Sequence, residues 1–150
     1  MTAWKTVDEV LDFAIENEEE AVSFYTELAE SSSRSWMREA FLGFAKEEQG
    51  HKAKLIGIKK GGKLKVSEKK VQNLKIADYQ VEITATPNMD FQQALVVAMH
   101  KEKAAFRLYT DLAGQTDDPE LRDAFLALAQ EEAKHKLRFE IEYDDLLTEN

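Results

Sequence analysis

Apolar residues recur every three or four positions over four long stretches, the spacing of one face of an α-helix. The first stretch carries Val7, Leu11, Ala14, Val22, Tyr25 and Ala29, and Thr6 with Glu9 forms a capping-box start. The serine run Ser31, Ser32 and Ser33 interrupts it. The second places Met37, Phe41, Phe44, Leu55 and Ile58 on one face and stops at Gly61-Gly62. The third begins near Asp90 with Phe91, Leu95, Ala98, Ala105, Tyr109 and Leu112, and ends around Gly114. Asp118-Pro119 opens the fourth, because proline fits the first helical position, and Leu121, Phe125, Leu128, Phe139 and Leu146 follow. The pattern predicts helices over approximately 6–31, 34–60, 90–113 and 118–146.

Two of the connections are short, which predicts two antiparallel helix pairs. Roughly 28 residues, from Gly61 to Met89, join the pairs. A helix of about 25 residues is about 38 Å long, and a connection of this size can run that length. The expected fold is all-α: one domain over 1–150, an antiparallel four-helix bundle with one long crossover over 61–89. Whether Val66–Ile83 forms a short helix or an extended piece is not decided by its pattern.

The two halves align without a gap at a shift of 84 positions, with 16 identities between residues 14–57 and 98–141. A-I-x-x-E-x-x-A-x-x-F-Y-x-x-L-A from Ala14 matches A-M-x-x-E-x-x-A-x-x-L-Y-x-x-L-A from Ala98. The second and fourth helices share F-L-x-x-A-x-E-E-x-x-H, from Phe41 to His51 and from Phe125 to His135. The repeat pairs Glu18 with Glu102, Glu48 with Glu132, and His51 with His135, and all six fall inside the apolar stripes. Four carboxylates crowded into an apolar interior do not all stay ionised without cations. Two divalent ions would balance their charge, so these six residues are candidate ligands of a dinuclear metal centre.

Composition narrows the rest. The chain has no cysteine, which excludes disulfides, zinc–thiolate sites and iron–sulfur clusters. Its formal charge of -9 makes a nucleic-acid partner a poor expectation. No apolar run approaches the roughly 18 residues of a bilayer span, and the first residues lack the features of a signal peptide. A cytoplasmic protein with no membrane partner is therefore expected.

Each motif also has a plain reading. Glutamate fills 19 of 150 positions, so a histidine has roughly a one-in-eight chance of a glutamate three residues before it, and Glu-x-x-His alone reads as a surface pair. That reading weakens because both copies align in the repeat and each trails an inward glutamate by 30 positions. His100 aligns with Glu16 and is expected in solvent. Glu19, Glu20, Glu47 and Glu131 turn about 100° per residue away from the candidate ligands. Tyr25 and Tyr109 are either core packing or phenols hydrogen-bonding near the ligands. Lys59, Lys60, Lys63, Lys65, Lys69 and Lys70 read as a solvated basic face without interleaved aromatics, and Trp4 and Trp36 carry no site signal.

The E-x-x-A-x-x-F-Y and E-E-x-x-H segments, both helix pairs and the long crossover resemble the rubrerythrin branch of the ferritin-like di-iron carboxylate proteins. The resemblance implies a ferritin-like bundle holding two iron ions, with Glu48 and Glu132 bridging and Glu18 and Glu102 more terminal. Two departures stand out. The chain lacks the cysteines of a rubredoxin domain, and Ala105 occupies the position of an additional rubrerythrin glutamate. The implied centre is thus more symmetric, and rubrerythrin's metal-shuttling mechanism does not simply carry over.

The expected function is oxidoreduction of hydrogen peroxide or dioxygen, of peroxidase or oxidase type, with electrons from a separate donor. Manganese accepts the same ligands, which leaves a dimanganese centre open. Iron uptake or storage with ferroxidase chemistry, and a non-enzymatic metal-binding helical module, are the competing readings. A homodimer is expected from the resemblance alone.

Overall fold

A computed structural model of the chain describes residues 4–32, 34–81 and 90–148. Among these the order is α1 (Val7–Ser31), α2 (Ser35–Gly61), α3 (Glu68–Asn73), a 3-10 turn (Ile76–Asp78), α4 (Phe91–Gln115) and α5 (Pro119–Thr148), with no strand. The four long helices lie within two residues of the expected bounds, the usual uncertainty of helix ends. The chain gathers into two compact units, Met1–Lys75 and Ile76–Asn150.

In the first unit α1 opens on the expected capping box. The Thr6 hydroxyl accepts the Glu9 N–H, and the Glu9 carboxylate accepts the Thr6 N–H. At its other end the Ser32 hydroxyl donates to the Leu28 carbonyl, and the Arg38 guanidinium reaches back to the Ser32 carbonyl at 3.1 Å. Ser33, the last residue of the serine run, lies outside the described residues. α2 stops where Gly62 turns into the left-handed region at φ 64°, a conformation that glycine adopts without a Cβ clash.

Cross-helix ion pairs report the register of α1 on α2. Lys52 meets Glu19 at 3.2 Å and Lys59 meets Asp12 at 2.6 Å, so seven residues forward on α2 match seven backward on α1. The hydrogen bond to Asp12 holds the Lys59 ammonium above its ordinary range. Beneath these surface pairs Leu11, Tyr25 and Leu28 of α1 are buried, as are Met37, Phe41 and Leu55 of α2. A fully buried side chain of this size contributes about 1.5–3 kcal/mol, so packing and not the exposed pairs holds the hairpin. Trp4 is buried with its ring 5.1 Å from that of Phe13.

The stretch left open between helix and extended piece holds a helix. Ser67 caps α3 by accepting the Lys70 N–H, α3 packs on α1, and Leu64, Val71 and Leu74 are buried. The part of the expected crossover from 82 to 89 lies outside the described residues.

The second unit repeats the scheme. Asp90 and Gln93 form the cap of α4, and the Asp118 carboxylate accepts the N–H groups of Glu120 and Leu121 as α5 starts at Pro119. Arg122 donates to the Thr116 carbonyl at 3.0 Å, repeating the Arg38–Ser32 contact 84 residues on. Leu95, Leu108, Tyr109 and Leu112 of α4 are buried, with Phe125, Leu128 and Phe139 of α5. The apolar pattern overreached at the margins of the stripes, since Val22, Phe44, Ile58, Phe91 and Leu146 are only half-buried. No helix among the described residues is long and apolar enough to cross a membrane.

One contact has no counterpart in the repeat. The buried Tyr79 donates its phenol proton to Asp111 of α4 at 2.5 Å, and Arg107 lies 3.7 Å from Asp78. Burial, then the hydrogen bond to Asp111, pushes the phenol well above the usual tyrosine range. Because the folded value is the higher one, this stabilisation is complete below the ordinary tyrosine pKa of about 10 and is lost as pH rises through the folded value. Tyr79→Phe is expected to cost about 1.5–3 kcal/mol in urea unfolding at neutral pH, the range for a hydrogen bond to a charged group. The variant should also lose part of the wild type's alkaline decline, and identical pH profiles would refute this.

Candidate metal centre

Each hairpin carries one glutamate on its first helix and a Glu-x-x-His on its second. In the first unit Glu18 comes from α1, and Glu48 and His51 from consecutive turns of α2. In the second, Glu102 comes from α4, and Glu132 and His135 from α5. Their fractional exposures are 2, 1 and 5 % in the first set and 1, 1 and 2 % in the second. That depth matters because charged side chains are almost never fully buried unless something pairs with them.

Within each unit the three residues converge. One donor atom each from Glu18, Glu48 and His51 lies within 4.8 Å of the others, and the same holds for Glu102, Glu132 and His135. His51 Nδ1 stands 3.6 Å from both Glu18 Oε2 and Glu48 Oε2, and His135 Nδ1 stands 3.6 Å from Glu102 Oε2. These gaps exceed the roughly 2.7–3.2 Å of an N–H···O hydrogen bond. They match two donors each about 2.0–2.2 Å from one ion at an angle of about 110–120°. The donor set is carboxylate oxygen with imidazole nitrogen and no thiolate, which suits iron, manganese or zinc. On both geometry and chemistry the residues fit a metal.

Helix periodicity brackets each set with apolar layers. Tyr25 and Tyr109 sit two turns beyond Glu18 and Glu102 and are 0 and 1 % exposed. Phe41 and Phe125 lie two turns before Glu48 and Glu132, while Leu55 and Phe139 follow the histidines by one turn, and all four are buried. The Tyr25 ring packs edge-on against Phe24 and Phe44, with centroids 5.8 and 6.3 Å away. Burial of both phenols is compatible with either sequence reading of them. His100, Glu19, Glu20, Glu47 and Glu131 are exposed, as their helical phase required, and Glu19 holds Lys52. Ala105 is half-buried.

Sequence reasoning passed over Glu142. It is only 5 % exposed, and Arg138 donates to its Oε1 at 2.8 Å. Its signal was its place seven residues after His135, on the same face of α5. The repeat disguised it, because the matching position in the first half is Ile58.

The rubrerythrin family model matches residues 9–143. A hypothetical protein from Pyrococcus furiosus is similar in structure, with a TM-score of 0.75 at 26 % sequence identity over 95 % of this chain and 91 % of that one. None of the curated proteins matches. A family match over most of the chain accords with the all-α, ferritin-like class and with the buried carboxylate and histidine groups, and the chain belongs to the rubrerythrin family.

Proposed function

We propose that the chain is a di-iron carboxylate oxidoreductase that reduces hydrogen peroxide or dioxygen with electrons from a separate donor. The observation that carries this reading is the pair of buried Glu, Glu, His sets, each closing to within 4.8 Å. In this proposal Glu18, Glu48, His51, Glu102, Glu132 and His135 would together hold two ions. Four carboxylates then face four positive charges, which offsets the desolvation that would otherwise make their burial unfavourable. When bound, two ferrous ions would supply two electrons to an O–O bond.

The protein's own residues set the conditions for that chemistry. Carboxylates are hard ligands that bind one ion or bridge two, so the same glutamates can serve both oxidation states. Two imidazoles among six ligands leave coordination positions for a small oxidant. Phe41, Leu55, Phe125 and Phe139 keep the surroundings apolar, which strengthens the electrostatics of the site and limits water. Tyr25 and Tyr109 bring phenols to the ligand face of α1 and α4.

Loading should therefore stabilise the fold. Ferrous or cobaltous ion at about 100 times its dissociation constant adds about 2.7 kcal/mol per site, read as a raised melting temperature. Elemental analysis should return two ions per chain, falling to one or fewer in Glu48→Ala and Glu132→Ala.

The redox reading has its own test. Stopped-flow mixing of the ferrous protein with hydrogen peroxide is expected to oxidise two irons per chain in one fast phase, consuming one peroxide per pair. Oxidation no faster than that of free iron would sink it.

A further inference from the structure

Lysines are concentrated in one segment of this acidic protein. Between Lys54 and Lys75 stand eight lysines against Glu68 alone, a local charge of +7 in a chain of -9, so the remaining residues carry -16. Lys60, Lys63, Lys65, Lys69 and Lys70 are all exposed, while Lys59 is ion-paired to Asp12. The segment begins one turn past His51, covers the end of α2 and continues through α3, wholly within the first unit.

Helix stabilisation accounts for only part of it. Lys59 and Lys60 complement the negative C-terminal end of α2, where cations are favourable. Lys63 and Lys65 lie beyond that helix, and Lys69 sits at the second position of α3, where a positive charge opposes the dipole. Residues placed against a local rule point to a role outside the fold. The partner must be negative but compact, because the -16 elsewhere repels an extended polyanion such as a nucleic acid or an anionic membrane. No aromatic residue occurs between Lys54 and Lys75, so bases would find no stacking platform.

We propose that this lysine face is the docking surface for a small acidic electron-carrier protein, which delivers electrons at the α2 end of the ligand set. The inference rests on the di-iron reading above: that reaction consumes electrons, and a chain without cysteine holds no iron–sulfur cluster to supply them. At each docking the carrier is oxidised by one electron and a ferric ion of the centre is reduced by one. Such encounters are brief, and electrostatic steering raises their association rate by about 10–10³-fold at low salt.

The probe is a plant-type [2Fe–2S] ferredoxin of net negative charge, titrated in its oxidised form into the full metal-free chain by calorimetry. Binding is expected at low ionic strength and should weaken severalfold in about 0.15 M salt. It should weaken at least tenfold in the variant K63E/K65E/K69E/K70E. These four positions are exposed, and glutamate at position 70 completes a capping box with Ser67, so an unchanged melting curve is expected for the variant. Equal affinity of both proteins for ferredoxin overturns the proposal, as does tighter binding of the wild type to phosphatidylglycerol vesicles or to duplex RNA. In the iron-loaded protein, reduced ferredoxin should pass electrons to the wild type at least tenfold faster than to the variant. Iron that dithionite reduces but bound ferredoxin does not would also overturn the docking role. Iron that neither reductant reduces would instead remove the di-iron redox reading, leaving the titration to judge the surface.

Discussion

The cost of keeping ionisable groups away from water governs this molecule. Six such side chains, none more than 5 % exposed, are carried on helices that otherwise bury leucine, phenylalanine, tyrosine and alanine. Apolar burial holds each hairpin together, and it is also what makes the carboxylates unfavourable where they sit. In the proposed metal centre, cations brought to the same place would reconcile the two tendencies. Stability and site chemistry would thereby be coupled: the layers of Phe41, Leu55, Phe125 and Phe139 that seal the hairpins also raise the cost of leaving the carboxylates ionised.

That coupling explains why the candidate ligands were legible before any coordinates. A glutamate on a solvated face is silent, but Glu18 between Ala14 and Tyr25 breaks an apolar stripe, and Glu48 with His51 breaks another. The helices themselves followed from periodicity, the capping box at Thr6 and the start signal at Asp118-Pro119, and the structure adds a capping box at Asp90. Periodicity could not reach the crossover, because Leu64, Val71 and Leu74 are too few and too irregularly spaced to define a face. It also could not reveal the Tyr79–Asp111 bond, which joins residues 32 positions apart and arises only from tertiary packing. Phe44 and Phe91 look like core residues by phase but lie at the edge of the buried stripe.

The internal repeat is closest where chemistry and loop geometry are shared. Ligand positions, buried tyrosines and the Arg38–Ser32 and Arg122–Thr116 contacts all recur at the same shift. The halves diverge in what surrounds those shared parts. Ile58 matches the buried Glu142, and Lys60 and Gly61 at the end of α2 match Asp144 and Asp145 of α5. One half is cationic at the end of its second helix and the other anionic, while the six candidate ligands are matched.

The placement of the two indoles has a practical side. Trp4 is buried on Phe13 and Trp36 is 45 % exposed, and both belong to the first compact unit. Intrinsic emission excited at the red edge therefore follows the amino-terminal half alone, whereas circular dichroism at 222 nm sums helix from both. Superimposed melting curves from the two signals would mean that the halves unfold as one cooperative body, and separated curves would give each half its own transition.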